Sequence, residues 1–223
     1  MSPPTAGFAE PTRAHRRRCV LDASVLYQEL LRNLLLWIAA EGGIDPFWTE
    51  RILDETRRNL IEDGVIEPEQ WDRLQAAMFA SFPDAMLDQA TADAIEHDMP
   101  NEDKDRHVLA AAVAGDIEFV ITSNLRHFKR ADLEQVGKKA LSPDQLLCEM
   151  IATEPTIVYV AMERLVTFMR IPRQWSIAEL LGRLMGLGRG DPLTPRFAAA
   201  AAAKLDIEPT APPEREGDDT TVS

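Results

Sequence analysis

The sequence predicts an α/β fold: a parallel, helix-covered sheet followed by an all-helical extension. Three observations support this. Short apolar runs that read as strands alternate with helical periodicity as far as about residue 145. Two of those runs, Arg18–Asp22 and Glu118–Thr122, read as strands buried between helix layers. Beyond residue 145 only helical patterns remain.

Taken in order, residues 1–17 are rich in Pro, Ala and Arg and read as a disordered basic leader, ending in the run Arg16, Arg17 and Arg18. The first strand follows, with Cys19, Val20 and Leu21 leading into Asp22. Residues 23–41 read as one helix, with inward positions at Val25, Leu26, Leu30, Leu34, Leu35 and Ile38; Gly42 and Gly43 stop it. Asp45–Trp48 is a short extended piece containing Pro46. Thr49 is a good N-cap for a helix reaching about Asp63. Another helix spans Pro68–Phe82. Residues 83–99 are ambiguous, with a short strand around Ala85–Leu87 and then a helical turn. A helix over Val108–Ala114, a strand over Glu118–Thr122 and a strand over Lys138–Leu141 come next. Ser142, Pro143 and Asp144 then open a helix through Ile151. Pro155–Met169, Ser176–Leu187 and Pro195–Leu205 are three further helices. The domain reading is therefore 18–150 for the α/β unit, 151–205 for an appended helical bundle or lid, and 206–223 for a disordered acidic tail.

Apolar residues make up 45% of the chain, enough for a real core, and the net charge is −13. An acidic protein is a poor general binder of polyphosphate. Bound cations and a local arginine patch can reverse that sign at one site. The two cysteines, Cys19 and Cys148, sit in apolar segments far apart and read as buried free thiols of a cytoplasmic protein. No apolar run is long enough to span a membrane, and no signal-peptide pattern is present at the N-terminus.

Four segments each place an oxygen ligand at the end of an element. Asp22 ends the first strand, where a carboxylate is costly unless it binds a cation or caps the following helix. Ser24 is two residues on. Glu55 borders the apolar stripe of its helix. Glu102, Asp103 and Asp105 lie in an acidic loop feeding the alanine-rich helix, where either aspartate could also serve as a plain N-cap. Thr122, Ser123 and Asn124 close the later strand. Hard oxygen ligands select Mg²⁺ or Mn²⁺ over Zn²⁺. His107 and His127 have no Cys or second His at zinc-ligand spacing.

The segments VLDASVLY, ILDETRRNL, DKDRHVLAAAV and FVITSNLRHF resemble, in order and spacing, the PIN-domain ribonucleases, and most closely the VapC-like toxins of type II toxin–antitoxin systems. The resemblance covers about residues 18–150. It implies an α/β/α sandwich with a central parallel sheet and Mg²⁺- or Mn²⁺-dependent endonucleolytic cleavage of RNA. Carried over by motif, Asp22 is the first-strand acid, Glu55 the helix acid and Asp105 the acid before the alanine-rich helix; Asp103 is a second contributor. Many PIN domains have an aspartate where this chain has Asn124, so three firm carboxylates remain. On this reading Asp22 and Asp105 hold the ion, Glu55 ligates it or serves as general base, and Asn124 orients water.

Candidate RNA contacts beside these acids are Ser24, Arg57, Arg58, Arg106, His107, Thr122 and Arg126, with Lys129 and Arg130 beyond. The resemblance also implies a cognate protein antitoxin, with an arginine reaching the carboxylates, and a homodimer. Two other readings compete. A non-catalytic PIN-fold RNA-binding or interaction module, with a weakened metal site, would explain Asn124. A phosphatase of the haloacid-dehalogenase type would also use a first-strand aspartate, but it needs a second aspartate where Ser24 stands.

Overall fold

β1 (Arg17–Leu21), β2 (Ile44–Phe47), β3 (Phe119–Ile121) and β4 (Lys139–Leu141) pair in the order β2-β1-β3-β4, all parallel. They belong to a computed structural model that describes residues 16–169, 175–188 and 191–212. Cys19, Val20 and Leu21 of β1 are fully buried, as the apolar run requires of a central parallel strand. Pro46 falls in β2, at the sheet edge, where a missing N–H is tolerated. In register, Leu21 lies opposite Ile121, and Ile121 opposite Leu141. The carboxyl ends of the two central strands therefore finish side by side.

The helix expected over residues 23–41 is broken in two, α1 (Ala23–Leu26) and α2 (Glu29–Ala40). The cause is tertiary. The buried Arg32 guanidinium donates to the Leu26 carbonyl at 2.7 Å and satisfies the end of α1, while Gln28 is extended and restarts the chain as α2. α3 (Glu50–Glu62) starts at Thr49, whose hydroxyl accepts from the Ile52 amide at 3.4 Å. α4 (Pro68–Ser81) opens with a Glu67–Gln70 capping box. The ambiguous stretch resolves into a single parallel bridge between Trp48 and Met86, then α5 (Gln89–Glu96).

A 3₁₀ turn, Asp103–Asp105, leads into α6 (Arg106–Ala114). α7 (Arg130–Gln135) had no sequence signal, because Leu133 is its one buried residue. α8 (Pro143–Thr153), α9 (Pro155–Phe168), α10 (Ile177–Met185) and α11 (Pro195–Leu205) complete the described residues.

The C-terminal helices extend the main core instead of forming a separate lid. α9 packs on α2 and α11 on α8, so Val158, Met162, Leu165 and Phe197 join the same buried cluster as the sheet. Two limits drawn from composition shift. Arg17, assigned to the leader, opens β1, where it pairs with Ile44. Residues 206–212, assigned to the acidic tail, lie against α10: the Thr210 amide donates to the Ala178 carbonyl at 3.0 Å, and Ile207 packs on the core. The rest of the leader and tail, 1–15 and 213–223, fall outside the described residues. Both cysteines are free, and burial pushes the Cys19 thiol up to about 12. Cys148 is only partly buried, contrary to expectation.

Gly182 makes the contact with residue 210 possible. A Cβ there would lie 1.8 Å from the Thr210 carbonyl oxygen, a backbone atom that cannot swing away. Gly182→Ala is expected to lift residues 207–212 off α10 despite the ~1 kcal/mol helix preference for alanine. Overpacking of about 1–3 kcal/mol corresponds to a fall in Tm of about 2–4 °C per kcal/mol. Calorimetry and hydrogen exchange at the Thr210 amide check this; unchanged protection would contradict it.

Candidate metal centre

The β1–β3 and β3–β4 ladders each continue one residue past the strands. The Asp22 amide donates to the Ile121 carbonyl at 3.0 Å, and the Thr122 amide donates to the Leu141 carbonyl at 3.1 Å. This places Asp22 and Thr122 next to each other at the carboxyl edge of the sheet, the usual ligand position in open α/β folds. Asp22 is 3% exposed and stands at the N-cap position of α1, yet its side chain makes no capping hydrogen bond. Helix capping therefore does not explain the buried carboxylate. Its Oδ2 instead accepts from two hydroxyls, Ser24 Oγ and Thr122 Oγ1, each at 2.6 Å.

Both hydroxyls are themselves held by the backbone. Ser24 Oγ accepts from the Ser123 amide at 3.1 Å, and Thr122 Oγ1 accepts from the Asn124 amide at 3.0 Å. Each hydroxyl therefore turns its proton toward Asp22. Hydrogen bonds to an ionised group contribute roughly 1.5–3 kcal/mol each.

Asp105 comes from the 3₁₀ turn ahead of α6 and is 7% exposed. Burial raises its pKa; His127 opposes the rise, and the charge of Asp22 adds to it. Its Oδ2 is buried and accepts no hydrogen bond. His127 Nδ1 lies 2.9 Å away, within ion-pair range but outside hydrogen-bond alignment. Glu102 Oε2 is 3.7 Å from His127 Nε2. Glu102, Asp105 and His127 each bring a ligand atom within 4.8 Å of the others.

Asp103 departs from its expected role as a second ligand. Its carboxylate points to solvent and pairs with Arg106 Nη2 at 3.0 Å. The 3₁₀ turn separates the two aspartates, burying the second and exposing the first.

Glu55 sits on α3, which packs against α1 and α6. Its Oε2 is 3.2 Å from Nε2 of the buried His107 on α6. His107 is the main cause that holds the Glu55 carboxyl below its ordinary value, with Arg58 and Arg51 contributing less. His107 thus faces Glu55 from inside the protein, and Thr122, fully buried, faces Asp22. Neither is placed to touch RNA, as had been expected of them. Arg106 is occupied by Asp103 and by the Asn101 carbonyl, 3.3 Å from its Nε. Arg57, Arg58, Arg126 and Lys129 are exposed, and Arg130 pairs with Glu134 at 2.7 Å. Asn124 is partly exposed at the edge.

The sequence reading set His127 aside for want of a zinc-ligand spacing and assigned Glu102 no role. His127 reaches Asp105 from the segment after β3, so no ligand spacing marks it, whereas Glu102 stands three residues before Asp105 in the same acidic loop. The donor set suits a divalent cation: buried carboxylates, with an oxygen of Asp105 that no protein donor satisfies. Leaving such an acceptor unpaired costs about 1–3 kcal/mol.

Residues 18–126 match the PIN domain family. A protein of Mycobacterium tuberculosis named "Putative ribonuclease VapC50" is 47% identical over 53 residues, which is 24% of this chain and 31% of that protein. The match thus spans about a third of that relative's length. No solved structure gives a significant match.

Two outcomes are expected of the metal-free protein. Thr122→Val removes one of the two donors to Asp22 and should cost about 1.5–3 kcal/mol in urea unfolding at pH 7; a loss under 0.5 kcal/mol would show that the hydroxyl does not support the carboxylate. Asp105 has a folded pKa above its unfolded value. Its ionisation therefore opposes folding above the folded pKa, and the penalty disappears as pH falls below the unfolded value. Asp105→Asn should accordingly raise Tm at pH 7. The gain should shrink on acidification toward the ordinary aspartate range, as thermal scans across pH would show.

Proposed function

With residues 18–126 forming a PIN domain, we propose that this protein is a divalent-metal-dependent endoribonuclease and the toxin of a toxin–antitoxin pair. The observation that supports this best is the pair of buried carboxylates at the sheet's carboxyl edge: Asp22 fixed by two wired hydroxyls, and Asp105 with an unsatisfied oxygen. Mg²⁺ or Mn²⁺ bound there would supply an acidified water and polarise a phosphodiester.

The chain's own residues have distinct tasks in that reaction. Asp22 and Asp105 would hold the cation, and the mutual repulsion of their charges would favour its binding. Ser24 and Thr122 keep Asp22 in one orientation. Glu55, kept ionised by His107, accepts a proton from the attacking water as general base. Asn124 orients that water. Water adds to phosphorus, the bond to the leaving ribose oxygen breaks and that oxygen takes up a proton from solvent, and no covalent enzyme intermediate forms. Arg57, Arg58 and Arg126 are the exposed cations for the flanking phosphates.

A cognate antitoxin would insert an arginine against the same carboxylates. Free thiols and a type II toxin assignment agree with action in the cytoplasm, as a homodimer. None of the described helices is long and apolar enough to cross a membrane.

The purified protein incubated with total RNA should cut it with Mg²⁺ or Mn²⁺ and not after chelation. Asp22→Asn should slow cutting by about 100-fold or more, the scale of losing a preorganised electrostatic group, while the variant stays folded by circular dichroism. Full activity in Asp22→Asn would sink the assignment. Absence of both Mn²⁺ binding by calorimetry and cleavage of any RNA would favour the non-catalytic module.

A further inference from the structure

His127 has no part in the mechanism above, yet it is 5% exposed and its Nδ1 has no hydrogen-bond partner. Asp105 Oδ2, equally unpartnered, lies 2.9 Å away and off the line of a hydrogen bond. Two adjacent ligands of one ion, each bonded at about 2.1 Å, stand roughly 3 Å apart. The two atoms are thus spaced as ligands of a shared ion. Glu102 completes a set whose ligand atoms fall within 4.8 Å of one another.

We propose that Glu102, Asp105 and His127 form a mixed nitrogen–oxygen site that selects a divalent transition-metal ion over Mg²⁺, and that Arg126 competes for it by holding the histidine ring. The inference rests on Asp105 being a metal ligand and goes beyond it in the choice of metal. Carboxylates alone suit Mg²⁺, whereas an imidazole shifts preference toward the later first-row ions. Arg126 Nε donates to His127 Nε2 at 2.8 Å. The neutral ring then carries its proton on Nδ1, the nitrogen nearest Asp105. An ion on Nδ1 requires the proton to move to Nε2, and Arg126 to withdraw. The guanidinium charge also opposes cation entry until it leaves.

Mn²⁺ and Mg²⁺ serve as probes, without RNA. Calorimetry should give a Mn²⁺-over-Mg²⁺ preference that falls about tenfold or more in His127→Ala, since even outer-shell losses cost 10–100-fold in metal affinity. Electron spin-echo spectra of bound Mn²⁺ should show ¹⁴N modulation in the wild type and lose it in His127→Ala. Arg126→Gln should bind Mn²⁺ several-fold tighter. Glu102→Gln, an exposed position, should weaken Mn²⁺ binding and serves if His127→Ala does not fold. An unchanged preference and unchanged nitrogen signal in His127→Ala would overturn the proposal. So would loss of that signal on replacing the exposed His97 instead, or Mn²⁺ affinity unchanged in Glu102→Gln. Nitrogen ligation can stand when no RNA is cut, and RNA cutting can stand without a nitrogen signal, so the two readings fail separately.

Discussion

The parallel pairing of β1 with β3 is the constraint on which the rest depends. One hydrogen bond past the strands, from the Asp22 amide to the Ile121 carbonyl, fixes the position of Asp22 relative to Thr122. A slip of one residue would turn Asp22 to the other face of the sheet and take its two hydroxyl donors away. The buried run Cys19–Leu21 prevents that slip, because its side chains fit only the packed interior. The core therefore does more than stabilise the chain: its register aims a charged group at the sheet edge.

Aiming two carboxylates at one place opposes folding. Asp22 is offset by Ser24 and Thr122, and Glu55 by His107. Asp105 is offset least, which is why burial and the neighbouring Asp22 together raise its pKa against the pull of His127. Strain at one residue is the pattern expected of a binding group, since a cation that neutralises it is bound more tightly for that reason. Through linkage, a cation bound there would stabilise the folded state by an amount that grows with the logarithm of its concentration over its Kd.

Much of this was legible in the sequence because it depends on local pattern. Asp22 follows directly from an apolar strand, Glu55 from the stripe on its helix, and the Thr49 cap from residue type. What was not legible depends on how the folded backbone aims each side chain. Asp103 and Asp105 both precede a helix, and only the 3₁₀ turn decides that one is buried and the other pairs with Arg106. The break between α1 and α2 needs Arg32 to fold back on Leu26, which no helical periodicity encodes. His107 and Thr122 looked like substrate contacts because they adjoin ligands in sequence; burial turns both inward, toward the carboxylates they orient.

The net charge of −13 now has a local resolution. A chain this acidic repels RNA at long range, so on the proposed function its exposed arginines would act over short distances, where solvent and salt screen the remaining charge. Arg57 and Arg58 lie on the helix that presents Glu55, and Arg126 abuts His127 beside Asp105. Cations thus flank the acidic edge on two sides, and a bound divalent ion would add two charges at its centre. Arg126 ties these features together. While it holds His127 it brings a positive charge to the edge; on the proposed metal site, a cation that displaced it would leave the guanidinium free to meet a phosphate. Metal entry and RNA binding would then reinforce each other through one side chain, without any change in the sheet that positions them.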